Sequence, residues 1–280
     1  MDTTLNKNFS YPKHLKLLVT ALTTLFLLFG IVVYFLKQMA FFSKLSETEG
    51  PISIELFYKH SGKTIFWIIP YNWITATIFT FLQFNSFIVF IFTDILLISI
   101  SLILANRFQQ LSKTLTKRQK IPQFHPDNAS FWKNVRKDYC KLSSLLFLID
   151  DHISLAIIFS YCLNFFSLLR FLTKLLRDSE QNLIVKFHDY CDALNFTLRI
   201  ICLTLFSSWI NEASQEPVAI LNSVVEREYS AEVGRLLLQI GFDEVALTGC
   251  KMFKLNKGLF LNIVSAIVTY ELIVIQYNNN

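Results

Sequence analysis

The sequence predicts an all-α, polytopic membrane protein with five transmembrane helices, its N-terminus inside and its C-terminus outside. Three observations predict it. Of 280 residues, 53% are apolar and only 17% charged, where a soluble domain carries about 25% charge. Five separate stretches are long and apolar enough to cross a bilayer, which takes roughly 20 residues. Lys and Arg are unevenly shared between the alternate loops. With 7 Gly and 6 Pro, collagen-like and low-complexity classes are excluded. A mean hydropathy of +0.43 leaves more apolar surface than a water-soluble globule can hide.

The first stretch is Leu17 to Leu36, too long for a signal-peptide core and without a small-residue cleavage site after it. The second, Ile74 to Leu104, carries only Gln83, Asn85 and Asp94 as strong interruptions and is long enough to tilt or to extend past the bilayer. The third is Leu142 to Leu169, with Asp150, Asp151 and His152 near its start. The fourth is Ala193 to Ile210, with Arg199 inside it. The fifth is Leu259 to Tyr277, just before the last residues. None of the five contains proline. Ile65 to Ile69 is apolar but short and is stopped by Pro70, so it reads as a re-entrant or surface segment.

The N-terminal tail, the loop after the second span and the loop after the fourth hold 17 Lys and Arg; the other side holds 8, and Arg199 is within a span. The richer side is expected in the cytoplasm. The net charge of +5 is therefore assigned to cytoplasmic loops, not to a nucleic-acid partner. Most of the bias rests on the loop from Ala105 to Lys141, which itself reads as helix. Arg107, Phe108, Leu111 and Leu115 continue the period of the second span, and Phe131, Val135, Tyr139 and Leu142 lead into the third. Pro122 and Pro126 mark the break between them. The apolar faces of these extensions need partners, which a shared cytoplasmic bundle between subunits would supply.

Charges at membrane depth are costly and mark functional candidates. Asp94, the Asp150-Asp151-His152 run and Arg199 qualify. An ion pair from Arg199 to an acid on another span and a contact to ligand or ion are both open. Gln83, Asn85, Tyr161 and Asn164 sit toward the outer half, within reach of a sugar-sized polar ligand. Trp67, Trp73 and Trp209 suit an aromatic belt or a stacking platform for a carbohydrate. The five cysteines, Cys140, Cys162, Cys191, Cys202 and Cys250, are widely spread and form neither a disulfide framework nor a zinc motif. GxSxG, HExxH, P-loop and GxGxxG motifs are missing. No catalytic residue, metal site or cofactor is assigned, and an enzyme is not expected. Asn128-Ala129-Ser130 is a glycosylation sequon in a loop placed inside, and is expected to be unused.

The C-terminal stretch is the most informative. It runs Ala246-Leu-Thr-Gly-Cys-Lys-Met-Phe253 and, after the last apolar stretch begins, Thr269-Tyr270-Glu271, four apolar residues, Gln276 and Tyr277. Thr-Tyr, five mostly apolar residues, Gln and an aromatic resembles the terminal signature of insect gustatory receptors. Tyr-Glu after Thr and the Ala-Leu-x-Gly-x-x-x-Phe run resemble the sugar-receptor branch, as do Asp94 to Phe108 and Phe131 to Ser154. The aromatic is Tyr277 where Phe is commoner, and Val264-Ser265-Ala266-Ile267 lacks the family's glycine. The resemblance implies seven spans with the N-terminus inside. The five here correspond to the third through seventh, so the chain resembles a receptor without its first two.

The resemblance further implies a multi-pass plasma-membrane protein acting as a tetrameric ligand-gated cation channel. Residues 1–257 would be the helical bundle that senses ligand, and residues 258–280 the pore-lining helix. Tyr270, Ile273, Gln276 and Tyr277 would line the pore, Gln276 replacing part of an ion's water shell. Hydrogen bonding of Tyr270 and Gln276 between helices is the alternative. A sugar would be met by Asn85, Asp94, Tyr161, Asn164 and Trp209. The expected partners are a small sugar, cations, lipid and other gustatory receptor subunits in a homo- or hetero-tetramer. Two rivals stay open: a truncated, non-conducting or auxiliary subunit, and an unrelated transporter.

Overall fold

The structure is a computed structural model that describes residues 13–119, 128–177, 182–224 and 229–278. In chain order its helices are α1 Lys13–Glu49, α2 Ile54–Ser61, α3 Lys63–Ile68, α4 Trp73–Gln119, α5 Asn128–Arg177, α6 Leu183–Asn222 and α7 Ala231–Phe242. A hairpin of β1 Thr248–Gly249 and β2 Phe253–Lys254 follows, and α8 Lys257–Asn278 ends the described chain. Among the described residues, α1, α4, α5 and α6 are long and apolar enough to cross a membrane, and α8 is apolar over Lys257–Tyr270. At 1.5 Å per residue the 47 residues of α4 span about 70 Å and the 50 of α5 about 75 Å. Both exceed a hydrocarbon core of about 30 Å more than twofold, so they project well out of it.

Two apolar stretches are thus parts of much longer helices, as the period through Phe108 and Leu115 predicts. The expected break at Pro122 and Pro126 lies outside the described residues. The fourth stretch also belongs to a longer helix, and Pro217 sits inside α6 near its end. The Ile65–Ile69 segment is α3, a helix with no buried residue. Pro70 follows it, and α4 then opens at Trp73, with Thr75 bonding back to Asn72. Asn72 N–H donates to Thr75 Oγ1 at 2.9 Å while that hydroxyl donates to Asn72 O at 2.8 Å. The loop expected after the fourth stretch is instead ordered as the end of α6, α7 and the hairpin.

The chain divides into two compact units. One comprises Leu96–Tyr161 and Ile201–Ala266 with the chain start to Thr20; the other comprises Ala21–Ile95, Cys162–Ile200 and Ile267–Asn280. In the first, α7 lays Val233, Leu236 and Ile240, spaced three and four apart, into a core with Phe108, Leu115, Tyr139, Leu146 and Leu203. The Phe108 and Tyr139 rings meet edge to face at 5.7 Å. The apolar faces of both helical extensions therefore find partners within this chain. Arg136 Nε donates to Glu232 at 2.6 Å, which fastens α5 to α7 and holds the Glu232 carboxyl below its usual range.

In the second unit, α1 and α4 approach closely at Gly30. A Cβ there would lie 2.3 Å from Ile91 Cδ1, so the end of the Ile91 side chain would have to shift to admit a larger residue. Both units keep an apolar core but depart from a soluble protein at the surface and in the charges they bury. Phe81, Val89, Phe92, Leu155, Phe159 and Phe166 are exposed, while Asp94, Asp150, Asn164, Asn195 and Arg199 are buried. Apolar side chains that face lipid and polar ones that pair inside are what a bilayer solvent selects.

Candidate functional site

The site grows from helical periodicity in the second unit. On α6, Asp192, Asn195, Phe196 and Arg199 follow at intervals of three, four and seven from the first and so share one face. On α4, Gln83, Ser86, Phe87 and Phe90 repeat the same spacing. These faces, joined by Tyr34 and Lys37 of α1 and Ser167 and Arg170 of α5, line a cavity of about 570 Å³. That volume lies within the range of small-molecule sites, about 300–1,000 Å³.

One buried polar group of the lining is charged. Arg199 Nε donates to Asp94 Oδ2 at 2.5 Å, and Arg199 Nη2 donates to Phe90 O at 2.9 Å. Asn164 Nδ2 donates to the same Asp94 oxygen at 3.0 Å, and the guanidinium carbon lies 3.9 Å over the Phe90 ring. The two charged side chains are 2% and 3% exposed. An unpaired charge at that depth would be prohibitively costly; here hydrogen bonds and a ring face replace the lost water. The ion pair considered for Arg199 is thus present, with Asp94 as the acid. Above it, Arg170 Nη2 donates to Ser167 Oγ at 3.2 Å. Aromatic rings form the apolar wall, Tyr34 against Phe87 at 5.0 Å and Phe90 against Phe196 at 6.4 Å.

Such a lining can accept and donate to neighbouring hydroxyls through Asp192, Asn195, Gln83 and Arg170, while rings cover an apolar face. Among the described residues, no group of three or more His, Cys, Asp or Glu could hold a metal ion. A further cavity of about 670 Å³ lies farther along α1, lined by Phe42, Ser46, Phe57 and Ile184 among others. There Asn182 Nδ2 already donates to Ser43 and Glu47 at 2.7 Å each, and Met39, Phe42 and Ile54 stand exposed, so it offers fewer open polar groups.

The sequence-predicted residues scatter. Asp94 and Asn164 meet each other and Arg199. Asn85 is exposed and its amide donates back to Phe81 O at 3.2 Å, off the stripe of Gln83, Ser86 and Phe87. Tyr161, in the first unit, shares a 2.8 Å hydroxyl bond with Thr204 and meets the Phe253 ring edge to face. Trp209, also there, is half-buried, while Trp67 and Trp73 are exposed. Asp192, Asn195, Lys37 and Arg170 escaped the reading although the α6 spacing signals the first two. Of the pore candidates, Ile273 and Gln276 are exposed and Tyr270 is half-buried. The Tyr270 hydroxyl lies 2.8 Å from Thr173 Oγ1 of α5, the interhelical bond weighed as the alternative. The Tyr277 side chain lies outside the described residues.

Comparison with known proteins follows the same lines. A family model described as Trehalose receptor matches residues 3–280. The gustatory receptor for sugar taste 64b of Drosophila melanogaster is 30% identical over 83% of this chain and 57% of its own length. The receptor for sugar taste 64f is 27% identical over 81% and 47%, and gustatory receptor 5a for trehalose is 28% identical over 68% and 41%, both from the same organism. The chain spans about half the length of these curated relatives. Its fold is similar to that of the insect olfactory receptor OR5 from Machilis hrabei in complex with eugenol. That match has a TM-score of 0.63 at 12% identity, covering 95% of this chain and 70% of the other.

Proposed function

The chain belongs to the trehalose receptor family of insect gustatory receptors, and we propose that it is a sweet-taste receptor subunit: a ligand-gated cation channel of the plasma membrane that answers to a sugar. The observation that carries this is the cavity in the second unit. Its carboxylate, amides and guanidinium suit vicinal hydroxyls, and its rings suit the apolar face of a sugar. The names of the relatives, which specify sugar taste and trehalose, point to the same ligand class.

In this reading the chain crosses the membrane five times, through α1, α4, α5, α6 and α8, with its N-terminus inside and C-terminus outside. Residues 1–257 sense the ligand and 258–280 line a central pore. Four subunits, alike or mixed, surround it with α8 innermost. Ile273 and Gln276, both exposed on this chain, face the pore with Tyr277, while Tyr270 sits at its edge, held to Thr173. A sugar that binds the open state more tightly shifts the population toward conduction. A tenfold preference per subunit supplies about 1.4 kcal/mol.

The test is whole-cell current in cells expressing the chain, under a panel of sugars including trehalose and sucrose, with a C-terminal tag read from outside. A sugar-evoked cation current, altered in conductance by Gln276→Ala at equal surface expression, is the expected result. A surface-exposed chain that stays silent when expressed alone and with sugar-receptor partners contradicts the channel reading.

A further inference from the structure

We infer that the hairpin between α7 and α8 is a coupling joint, in which Asp150 of α5 acts as a positioning residue that sets the place of the first turns of α8. Asp150 is buried, and both its oxygens are spent on one residue of the hairpin. Thr248 N–H donates to Oδ1 at 2.6 Å and Thr248 Oγ1 donates to Oδ2 at 2.7 Å. Two short bonds from a buried carboxylate are strong ones. The next acid along α5, Asp151, pairs with Lys251 Nζ at 3.0 Å. The Asp-Asp pair, unexplained by the sugar cavity, is a two-point grip on one turn.

The turn it grips is conformationally costly. Cys250 and Lys251 both have positive φ, 48° and 61°, and Met252 N–H donates to Gly249 O at 2.9 Å. That is the turn whose two central residues are both left-handed, normally filled by Asn or Gly. Ordinary side chains hold it only where the surroundings over-determine it. The Thr248 hydroxyl helps, accepting from Lys251 N–H at 3.2 Å. Gly249 lies under the Phe253 ring, where a Cβ would sit 2.4 Å from ring carbon.

From the hairpin to α8 the chain has no slack. Leu255 N–H donates to Leu247 O at 2.9 Å, and Asn256 Oδ1 accepts from Leu259 N–H at 3.0 Å to cap α8. Lys257 pairs with Glu212 of α6 at 2.8 Å. A displacement of the Asp150 turn of α5 is thus passed through one strand pair into the start of α8. Its consequence for gating rests on the channel reading above; the joint itself does not.

The test uses the full chain in detergent and a water-soluble maleimide. Replacing Cys140, Cys162, Cys191 and Cys202 by Ala leaves Cys250 of the turn as sole thiol. A second background carries Cys250→Ala and Ile263→Cys, at a half-buried position of α8. Asp150→Ala is expected to speed labelling at both positions about tenfold or more. Thr248→Val is expected to speed both by less, and Thr248→Ser to leave wild-type rates. If Asp150→Ala does not fold, the Thr248→Val and Thr248→Ser pair decides. Unchanged labelling at Cys250 would overturn the grip, and faster labelling at Cys250 alone would overturn the coupling. Where trehalose evokes a current, Thr248→Val is expected to shift its half-maximal concentration and Thr248→Ser to leave it; a shift of neither overturns the link to gating. A wild-type chain without current counts against the channel reading alone, since labelling decides the joint independently.

Discussion

Arg199 and Asp94 illustrate what one residue can settle. Each is a charge in a helix that has no water to offer, and each survives because the other is within hydrogen-bond distance. Removing one partner strands the other, which costs about 3–5 kcal/mol for a buried pair, whereas removing both leaves no orphan charge. Asp94→Ala and Arg199→Ala are therefore each expected to lower thermal stability of the purified chain strongly. An Asp94→Ala/Arg199→Met double variant should lose much less than the sum. Additive losses, read from thermal unfolding in detergent, would show that the two charges do not depend on each other. The two charges were legible in the sequence as candidates because intramembrane charges are rare. Their partner assignment was not, since linear depth along two separate stretches does not say which faces meet. Asn85 shows the converse: polar and well placed by depth, it lies off the stripe formed by Gln83, Ser86 and Phe87 and bonds to its own helix.

At the scale of elements, periodicity carried the reading further than composition did. Phe108, Leu111 and Leu115 extended α4 beyond its apolar stretch, and Val135 and Tyr139 extended α5 in the other direction, as found. The segment between α6 and α8 was opaque because its order comes from tertiary bonds that sequence spacing does not encode. Two-residue strands have no periodicity to detect, and α7 is only 12 residues long. The Ala-Leu-x-Gly-x-x-x-Phe run acquires a physical meaning here: Gly249 leaves room for the Phe253 ring, which stands edge to face with Tyr161 at 5.9 Å. Gly249→Ala is expected to displace that ring and destabilise the chain by about 1–3 kcal/mol, the range for overpacking a filled site. Phe253→Leu should relieve part of the loss when combined with it. A stability equal to wild type in Gly249→Ala alone would mean the ring moves aside freely.

At the scale of the whole molecule, the surface is distributed for lipid: many aromatic and aliphatic side chains stand exposed, while serines, amides and paired charges are buried among an apolar core. That the chain faces lipid was readable from composition, and the family from the terminal motif. The cavity was not, because its lining is gathered from five separate helices, most of which contribute only a few residues. No single window of sequence contains it; only the repeated spacing on α4 and α6 hints at it. The central claim is that a sugar sits in this cavity, and the most direct measurement is ligand-induced thermal stabilisation of the purified chain by trehalose and sucrose. A ligand that binds the folded state raises the unfolding temperature in proportion to its occupancy. The account predicts a sugar-dependent rise in wild type that Asp192→Ala or Asn195→Ala weakens about 10-fold or more in apparent affinity, each losing hydrogen bonds worth about 1–3 kcal/mol. Ser46→Ala in the other cavity should leave the rise unchanged. A rise that survives both cavity substitutions and disappears in Ser46→Ala would contradict it.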